Sequence, residues 1–389
     1  MNERYSFSLL TDWDSISRYE PFWHSQAAHP NVHPDLFRVV VEQRKDVEKP
    51  VLAVISVTGE AQPCFLAVGR IESVKNSLHL GYLPVFAPTL RQVTFIRGGL
   101  MGPPDADIYD FFVLKLRGLL DKNKFQAVNF AGLDASSPLW TPVRQSVPFY
   151  RRDLVVRFSH HWTAKLPATW KEYSEKTSAK HRSYLRRCEK KIGAHAGGPT
   201  STGIYVKEDD IGTFCKDAEA IACKTYHRGI GAGFVDSPEI RARLQVCAHN
   251  GWMRGYVLYA NNIPVTFWLG TQFGTTLHLE YTGYLPEFSG MSPGLILYLK
   301  MIEHLYTTET KAIDFGQGDA VYKQRYGDAW YPEADAWIYG PKVSLIIYVM
   351  AKGAAITARK GIEMVAGSAV VSFLKKKWRK QSASSKNQS

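Results

Sequence analysis

Cysteine is scarce in this 389-residue chain: there are five, an odd number, and no two form a CxxC pair. That excludes a disulfide framework or a zinc knuckle and suits a reducing, cytoplasmic compartment. A leader is also missing. Met1-Asn2-Glu3-Arg4-Tyr5 lacks a basic stretch followed by an apolar run, so no secretory signal is expected. Long apolar runs are absent where they would matter most. Between Val343 and Leu374 the longest uncharged stretches are 343–351 and 364–374. Both fall short of the ~20 residues that a spanning helix needs. His24, His29 and His33 are separated by prolines and offer no regular ligand spacing, so no metal site is expected.

Basic charge is not spread evenly. The formal net charge is +12, but residues 342–389 hold ten Lys and Arg against one acid, Glu363. The remainder is close to neutral and gives no reason to expect DNA binding. In the tail, Lys352, Arg359 and Glu363 fall on one side of a helical wheel, and Lys375, Lys376, Lys377, Arg379 and Lys380 follow. An amphipathic helix with a basic end suits peripheral contact with an anionic membrane, at its inner face for a cytoplasmic protein. A helix docked on the body is the alternative.

The body contains a repeat. Val113-Leu114-Lys115-Leu116 leads to Ala127-Val128-Asn129-Phe130, and Tyr298-Leu299-Lys300-Met301 leads to Ala312-Ile313-Asp314-Phe315, at a constant offset. Upstream, the segment from Gln62 to Gly69 resembles that from Ile263 to Gly270. Two related lobes follow, each with a hairpin, further strands, a helix and a closing strand. Alternation predicts strands at 51–58 and 64–74, then at 253–260, 263–271 and 277–284. Ser292 as N-cap and Pro293 at the first position predict a helix over 293–306. A further helix is expected over 170–192 and a loop over 193–202. The irregular alternation of strands and helices predicts an α+β fold with mixed central sheets. The domain limits are placed at 1–165, 166–341 and 342–389.

Gly290-Met291-Ser292-Pro293-Gly294 is the sharpest local feature. It matches the GxSxG pattern of a hydrolase elbow, but the last histidine is His304, so no acid-then-histidine order can follow beyond a few residues, and Pro293 lacks the N–H an oxyanion hole would use. The start of a helix also binds anions through backbone N–H groups and the helix dipole. Just upstream, His278, Glu280 and Thr282 alternate onto one strand face. Either His278 or Glu280 could serve as a general base. Downstream, glycines in Asp314-Phe315-Gly316-Gln317-Gly318 mark a loop where backbone can meet a ligand. Tyr322 is a candidate acid and Lys323 a candidate anion contact.

These residues, with Ser178-Ala179-Lys180-His181-Arg182 and the segment from Pro264 to Gly270, resemble the GNAT acyltransferase superfamily. More narrowly, they resemble its branch associated with bacterial cellulose and exopolysaccharide synthesis. The likeness covers about 170–330 well and the first lobe weakly. Tandem lobes of this kind also resemble cell-wall peptidyltransferases that use aminoacyl-tRNA. The resemblance implies two tandem GNAT-like lobes plus a C-terminal amphipathic helix. It implies acyl-CoA, most simply acetyl-CoA, in a gap between two splayed strands. Gly290, Ser292, Pro293 and Gly294 would hold the pyrophosphate, with Asp314, Gly316 and Lys323 nearby. Glu280, or else His278, would be the base and Tyr322 the acid. Arg182 and His227 would touch the acceptor, a sugar or polysaccharide precursor. Phe288-Ser289 stands where the superfamily carries Arg or Gln ahead of its glycines, a departure from the pattern. In the first lobe, Gly98-Gly99-Leu100-Met101-Gly102 lacks the Ser-Pro-Gly loop, which suggests a structural or acceptor-side role. Under the tRNA alternative, the basic residues between Lys180 and Lys191 would serve the RNA.

Overall fold

A computed structural model of the chain describes residues 4–80, 83–225, 228 and 233–358. The chain divides into two compact units, one ending at Ser159 and resuming at Tyr331, the other His160–Trp330. Unit 2 is therefore an insertion within unit 1, where the sequence alone suggests consecutive segments.

Unit 1 begins with β1 (Tyr5–Leu10), α1 (Trp13–Ser17), α2 (Glu20–Gln26) and α3 (Pro34–Gln43). The hairpin β2 (Val47–Val57) and β3 (Pro63–Lys75) follows, then β4 (Leu78–Leu80), β5 (Leu83–Phe86) and β6 (Thr89–Met101). Next come α4 (Ala106–Asp121), β7 (Ala127–Asp134) and α5 (Trp140–Gln145). Unit 2 holds β8 (Ser159–Lys165), α6 (Trp170–Lys176), α7 (Ala179–Ala196), β9 (Thr200–Tyr205), α8 (Ile211–Ala222) and α9 (Pro238–His249). It continues through β10 (Met253–Ala260), β11 (Ile263–Phe273), β12 (Thr276–Tyr284), α10 (Pro293–Leu305), β13 (Ala312–Gln317) and α11 (Val321–Tyr326). Strand β14 (Ala329–Tyr339) and helix α12 (343–358) return the chain to unit 1.

Each unit has a mixed sheet of the same plan. In unit 1 the order is β1-β2-β3-β6-β7-β14, and only β6 and β7 are parallel. In unit 2 the order is β8-β13-β12-β11-β10-β9, and only β12 and β13 are parallel. Both parallel pairs are joined by the helices that carry the sequence repeat, α4 and α10. Helix α4 buries Phe112 against Phe65 and Phe95 at ring distances of 5.3 and 5.2 Å. Each such ring removed from water contributes about 1.5–3 kcal/mol. Helices α1–α3 supply Ile16, Trp23 and Phe37 to a second core cluster with Leu52, Val54, Leu66 and Val68. Because consecutive strand residues face opposite ways, Leu52 and Ala53 fall in different clusters.

Three expectations change. The helix expected over 170–192 is two helices broken at Thr177-Ser178, because Ser178 caps the second by accepting from His181 N–H at 3.2 Å. The loop expected from 193 is shorter: α7 runs on to Ala196 and ends at Gly197, whose φ of +74° makes it a left-handed cap. In α12, Lys352 is not on an outward polar face. Its Nζ donates to Asp153 at 2.8 and 2.9 Å while Leu345, Tyr348 and Val349 join the buried cluster of unit 1. The helix docks on unit 1, and its outward side carries Val343, Ile347 and Met350, exposed by 71, 62 and 46%. Arg359, Glu363 and the basic run after Leu374 lie outside the described residues. No helix among the described residues is long and apolar enough to cross a membrane.

Candidate active site

Strands β12 and β13 pair from Thr276–Ala312 to His278–Asp314, and there the pairing ends. Beyond that point they part, leaving a gap in the sheet of unit 2. Its two faces are clad differently. On one face α8 and α9 pack, with Phe214 and Phe234 against Phe267 and Cys247 against Thr271. On the other, Tyr298 of α10 and Tyr322 of α11 lie 5.9 and 5.2 Å from the Trp268 ring. Phe267 and Trp268 are neighbours in β11, so the strand directs one ring to each face.

At the last paired position sit two of the predicted residues. Asp314 Oδ2 accepts from His278 Nδ1 at 3.2 Å, and Oδ1 accepts from His161 Nε2 at 2.7 Å. The backbone N–H of Gly316 donates to the same Oδ1 at 2.7 Å. Burial opposes the charge on Asp314, but the hydrogen bonds from the two histidines outweigh it and hold the carboxyl well below its ordinary range. An ionised carboxylate only accepts, so His278 donates to it from Nδ1.

Glu280 stands differently. Leu269 pairs with Tyr281 and Gly270 with Leu279, so Glu280 is the extra residue of a β-bulge. A side chain at Gly270 would come within 2.7 Å of the His278 carbonyl oxygen, so the bulge needs glycine opposite it. Thr271 Oγ1 donates to Glu280 Oε1 at 2.6 Å and Arg243 donates to Oε2 at 3.1 Å. The Glu280 carboxylate raises the Arg243 pKa against the opposing effect of burial. Both carboxylate oxygens of Glu280 are thus engaged by its neighbours.

The loop before α10 has an unusual start. Ser292 occupies the N-cap position at φ +50°, ψ +44°, a left-handed conformation rare for a residue with a side chain, and its hydroxyl does not cap the helix. It lies 3.4 Å from the Tyr184 hydroxyl of α7. The sequence-based expectation of Ser292 as a side-chain cap is therefore corrected. No acidic residue lies in the first turn, and a Cβ built on Gly290 would meet nothing within 4 Å. Trp268 Nε1 donates to the Gly294 carbonyl at 3.0 Å and fixes the turn. An uncapped helix start, a glycine beside open space and Pro293 at the first helical position together fit a diphosphate.

Other candidates have structural partners. Lys323 is buried and its Nζ donates to the Gln317 carbonyl at 2.6 Å, tying α11 to the end of β13. Arg182 donates to the Ser174 carbonyl at 2.7 Å and to the Thr177 carbonyl, holding the α6–α7 turn. His227 lies outside the described residues. His161, Arg243 and Tyr184 were not singled out from the sequence. The adjacent His160-His161 on an alternating strand was the available signal for the first. Nothing local marks Arg243 among the charged residues of α9.

Unit 1 has the same gap, differently filled. There β6 and β7 pair from Gln92–Ala127 to Phe95–Phe130. Two residues further on, the Arg97 guanidinium lies against Gly132, where a Cβ would sit 2.6 Å from Nε. Arg97 pairs with the buried carboxylate of Glu333 on β14. Two residues past Asp314 in unit 2 stands Gly316, where a Cβ would meet nothing within 4 Å. The start of α4 is also closed to anions: Asp105 caps it by accepting from Asp107 N–H at 2.8 Å, and Asp107 adds a second carboxylate.

Part of unit 2 matches a known domain family. Residues 179–324 match the family described as an acetyltransferase (GNAT) domain. The solved structure of FemX is 9% identical and aligns with a TM-score of 0.53 over 85% of this chain and 97% of that one. A tandem GNAT protein from the clavulanic acid biosynthesis pathway is 10% identical, with a TM-score of 0.49 over 87% of this chain and 99% of its own. The C-terminal domain of a putative lysylphosphatidylglycerol synthetase from Agrobacterium fabrum is 10% identical, with a TM-score of 0.48 over 87% and 95%. No curated protein matches the chain. The chain has an α+β fold of two tandem GNAT-like units. The match to an acetyltransferase (GNAT) domain lies within unit 2 and covers less than half of the chain.

Proposed function

We propose that unit 2 transfers an acyl group, most simply acetyl, from acyl-CoA to an amine or hydroxyl of a sugar or polysaccharide precursor. The observation that carries this reading is the contrast between the two gaps: open beside Gly316 and filled by Arg97 beside Gly132. Acyl-CoA, when bound, supplies an activated thioester. The start of α10 at Gly290, Ser292, Pro293 and Gly294 binds the diphosphate. His278 takes the proton of the attacking nucleophile, and Asp314 orients the ring and stabilises the imidazolium that results. The Tyr322 hydroxyl gives a proton to the leaving sulfur as the new carbonyl–nitrogen or carbonyl–oxygen bond forms and the carbonyl–sulfur bond breaks. Glu280 holds Arg243 and shapes the bulge that follows His278.

Acceptor and donor approach from opposite faces in this reading. Thr271 lies opposite His278 in the register and contacts Cys247 of α9, which supports an acceptor side there. Tyr322 and α10 lie on the other face. The outward stripe Val343, Ile347 and Met350, followed by the basic tail, supports peripheral contact with an anionic membrane from the cytoplasm.

Calorimetric titration of the full chain with acetyl-CoA and with desulfo-CoA tests the donor. Saturable binding of both, followed by thiol release with amino-sugar or sugar acceptors, is expected. Absence of binding at millimolar concentration would remove the CoA reading. Transfer from aminoacyl-tRNA is the second reading. It is favoured by the exposed Lys180, Arg186, Arg187, Lys190 and Lys191 on α7, and it predicts activity that falls steeply with salt.

A further inference from the structure

Strand β13 lies between β12 and β8, and its Asp314 is gripped from both sides. The two carboxylate oxygens are held differently. Oδ1 accepts from His161 Nε2 and from the Gly316 N–H, each at 2.7 Å, whereas Oδ2 meets His278 Nδ1 at 3.2 Å. Hydrogen bonds to an ionised acceptor are the short, strong ones. A carboxylate pinned at one oxygen by two such donors loses its freedom to turn about the Cβ–Cγ bond. Its second oxygen then meets the His278 ring from a fixed direction.

The grip depends on a second β-bulge. In the β8–β13 ladder Asp314 opposes Thr163, but Gly316 opposes Trp162 and Gln317 opposes His161, so Phe315 is the extra residue. Gly316, next to it, turns at φ +70° and aims its N–H back onto the carboxylate. Bulges of this kind bend a strand and redirect its side chains. Thr163 and His161 share one face of β8, so His161 lies on the Asp314 side. One bulge thus sets Glu280 on β12, and the other fixes Asp314 on β13.

His161 is only 1% exposed. A buried charged pair is a poor device for stability, because apolar residues of similar volume often do as well or better. What the pair supplies is direction.

We propose that His161 is a positioning residue for acyl transfer: through Asp314 it holds the His278 ring in the orientation that receives the proton of the attacking nucleophile. The assignment rests on the acyl-transfer reading of unit 2 and deepens it. His161 needs no contact with donor or acceptor for this. The proton passes from the nucleophile to His278 while the hydrogen bond from His161 to Asp314 stays in place.

Three substitutions separate this role from a merely structural one. His161→Gln places an amide nitrogen near the position of Nε2 and can still donate to Asp314. His161→Leu fills the volume without a donor, and the amide of His161→Asn is too short to reach. A misplacement of ~1 Å can cost about 10²-fold in rate. With acetyl-CoA and glucosamine, His161→Leu and His161→Asn should lower kcat by about that factor with KM unchanged. His161→Gln should recover most of the loss. In a His278→Ala background His161→Leu should cost nothing further, because the ring it positions is gone. Wild-type kcat in His161→Leu, equal losses in the Leu and Gln variants, or a full additional loss in the His278→Ala background would overturn the assignment.

A second readout needs no turnover. In the full chain carrying isotope-labelled histidine, the His278 Nδ1 proton held by Asp314 should give a downfield magnetic resonance signal that His278→Ala removes. His161→Leu and His161→Asn should broaden or erase it, and His161→Gln should keep it. An unchanged signal in folded His161→Leu would also overturn the assignment. The two readouts keep it apart from the reading it rests on. No thiol release from wild type, with the signal responding to His161 as expected, would remove acyl transfer and leave the ring held by His161. Ordinary turnover in His161→Leu with none in His278→Ala would keep acyl transfer and remove the role of His161.

Discussion

Arg97 of β6 reaches past Gly132 of β7 to the carboxylate of Glu333 on β14, and Glu333 is fully buried there. A strand pair that parts leaves backbone and space unfilled, and unit 1 fills both with an ion pair. Breaking a buried pair by removing one partner typically costs about 3–5 kcal/mol. Arg97→Ala should therefore lower the urea midpoint by that measure. A double replacement by apolar residues of similar size, Arg97→Met with Glu333→Leu, should recover most of the loss. Acetyl-CoA affinity should not change in either variant. A rise in cofactor stoichiometry from one to two in Arg97→Ala would show that unit 1 is a masked site.

Gly290 separates folding from binding. Its Cβ position is open, so Gly290→Trp should fold with a melting temperature close to that of the parent protein. If the space is the seat of a diphosphate, acetyl-CoA binding should fall by more than tenfold. Wild-type affinity in this variant would move the phosphate elsewhere.

The base is decided by comparing His278 with Glu280. His278→Ala should lower kcat about 10²–10⁴-fold. Glu280→Gln should act differently, because it leaves Arg243 facing a neutral partner in a buried setting. Its main effect should appear in the unfolding free energy. Equal kcat losses with unchanged stability in both variants would return Glu280 to the role of base.

Much of this site was legible in the sequence because it is local. The β12 alternation, the Gly290–Gly294 loop and the helix after it are each contiguous, and periodicity or capping chemistry marks them. The constant offset between the two helix–strand segments likewise revealed the two units. What was not legible depends on distant pairing. Glu280 reads as a free carboxylate until Arg243, 37 residues earlier, is placed beside it. Asp314 reads as a loop residue until His161, 153 residues earlier, donates to it. Lys352 sits on the polar side of an amphipathic pattern, yet Asp153 draws it inward and reverses which face of α12 is exposed. In each case one charge was in view and its partner was not.

Asp314 also governs acid stability. Its folded pKa lies below the unfolded carboxylate value of about 3.9, so its contribution is complete above that value. It is lost as pH falls toward the depressed folded value. Urea unfolding of wild type and Asp314→Asn should differ most at pH 5 to 7, and the two should converge as pH is lowered from 4 toward 2. A difference that stays constant over that range would mean that the carboxylate is not held in its charged form by His161 and His278.

Helix α12 offers a test in which stability and surface binding separate cleanly. Leu345, Tyr348 and Val349 anchor it to unit 1, whereas Ile347 and Met350 face outward. Exposed substitutions away from such anchors usually change stability by no more than about 0.5 kcal/mol. Ile347→Glu and Met350→Glu should therefore leave the urea midpoint nearly unchanged. If the stripe meets a bilayer, both should weaken co-sedimentation with vesicles of phosphatidylglycerol and phosphatidylcholine. Wild-type binding should require the anionic lipid and fall with salt, since each Lys or Arg near such a surface contributes about 1 kcal/mol and is screened beyond a Debye length. Leu345→Glu should lower the stability of unit 1 instead, because it places a charge in the buried cluster. Wild-type protein that ignores anionic vesicles, with monomers giving way to dimers only while Ile347 is intact, would assign the stripe to a second copy of the chain.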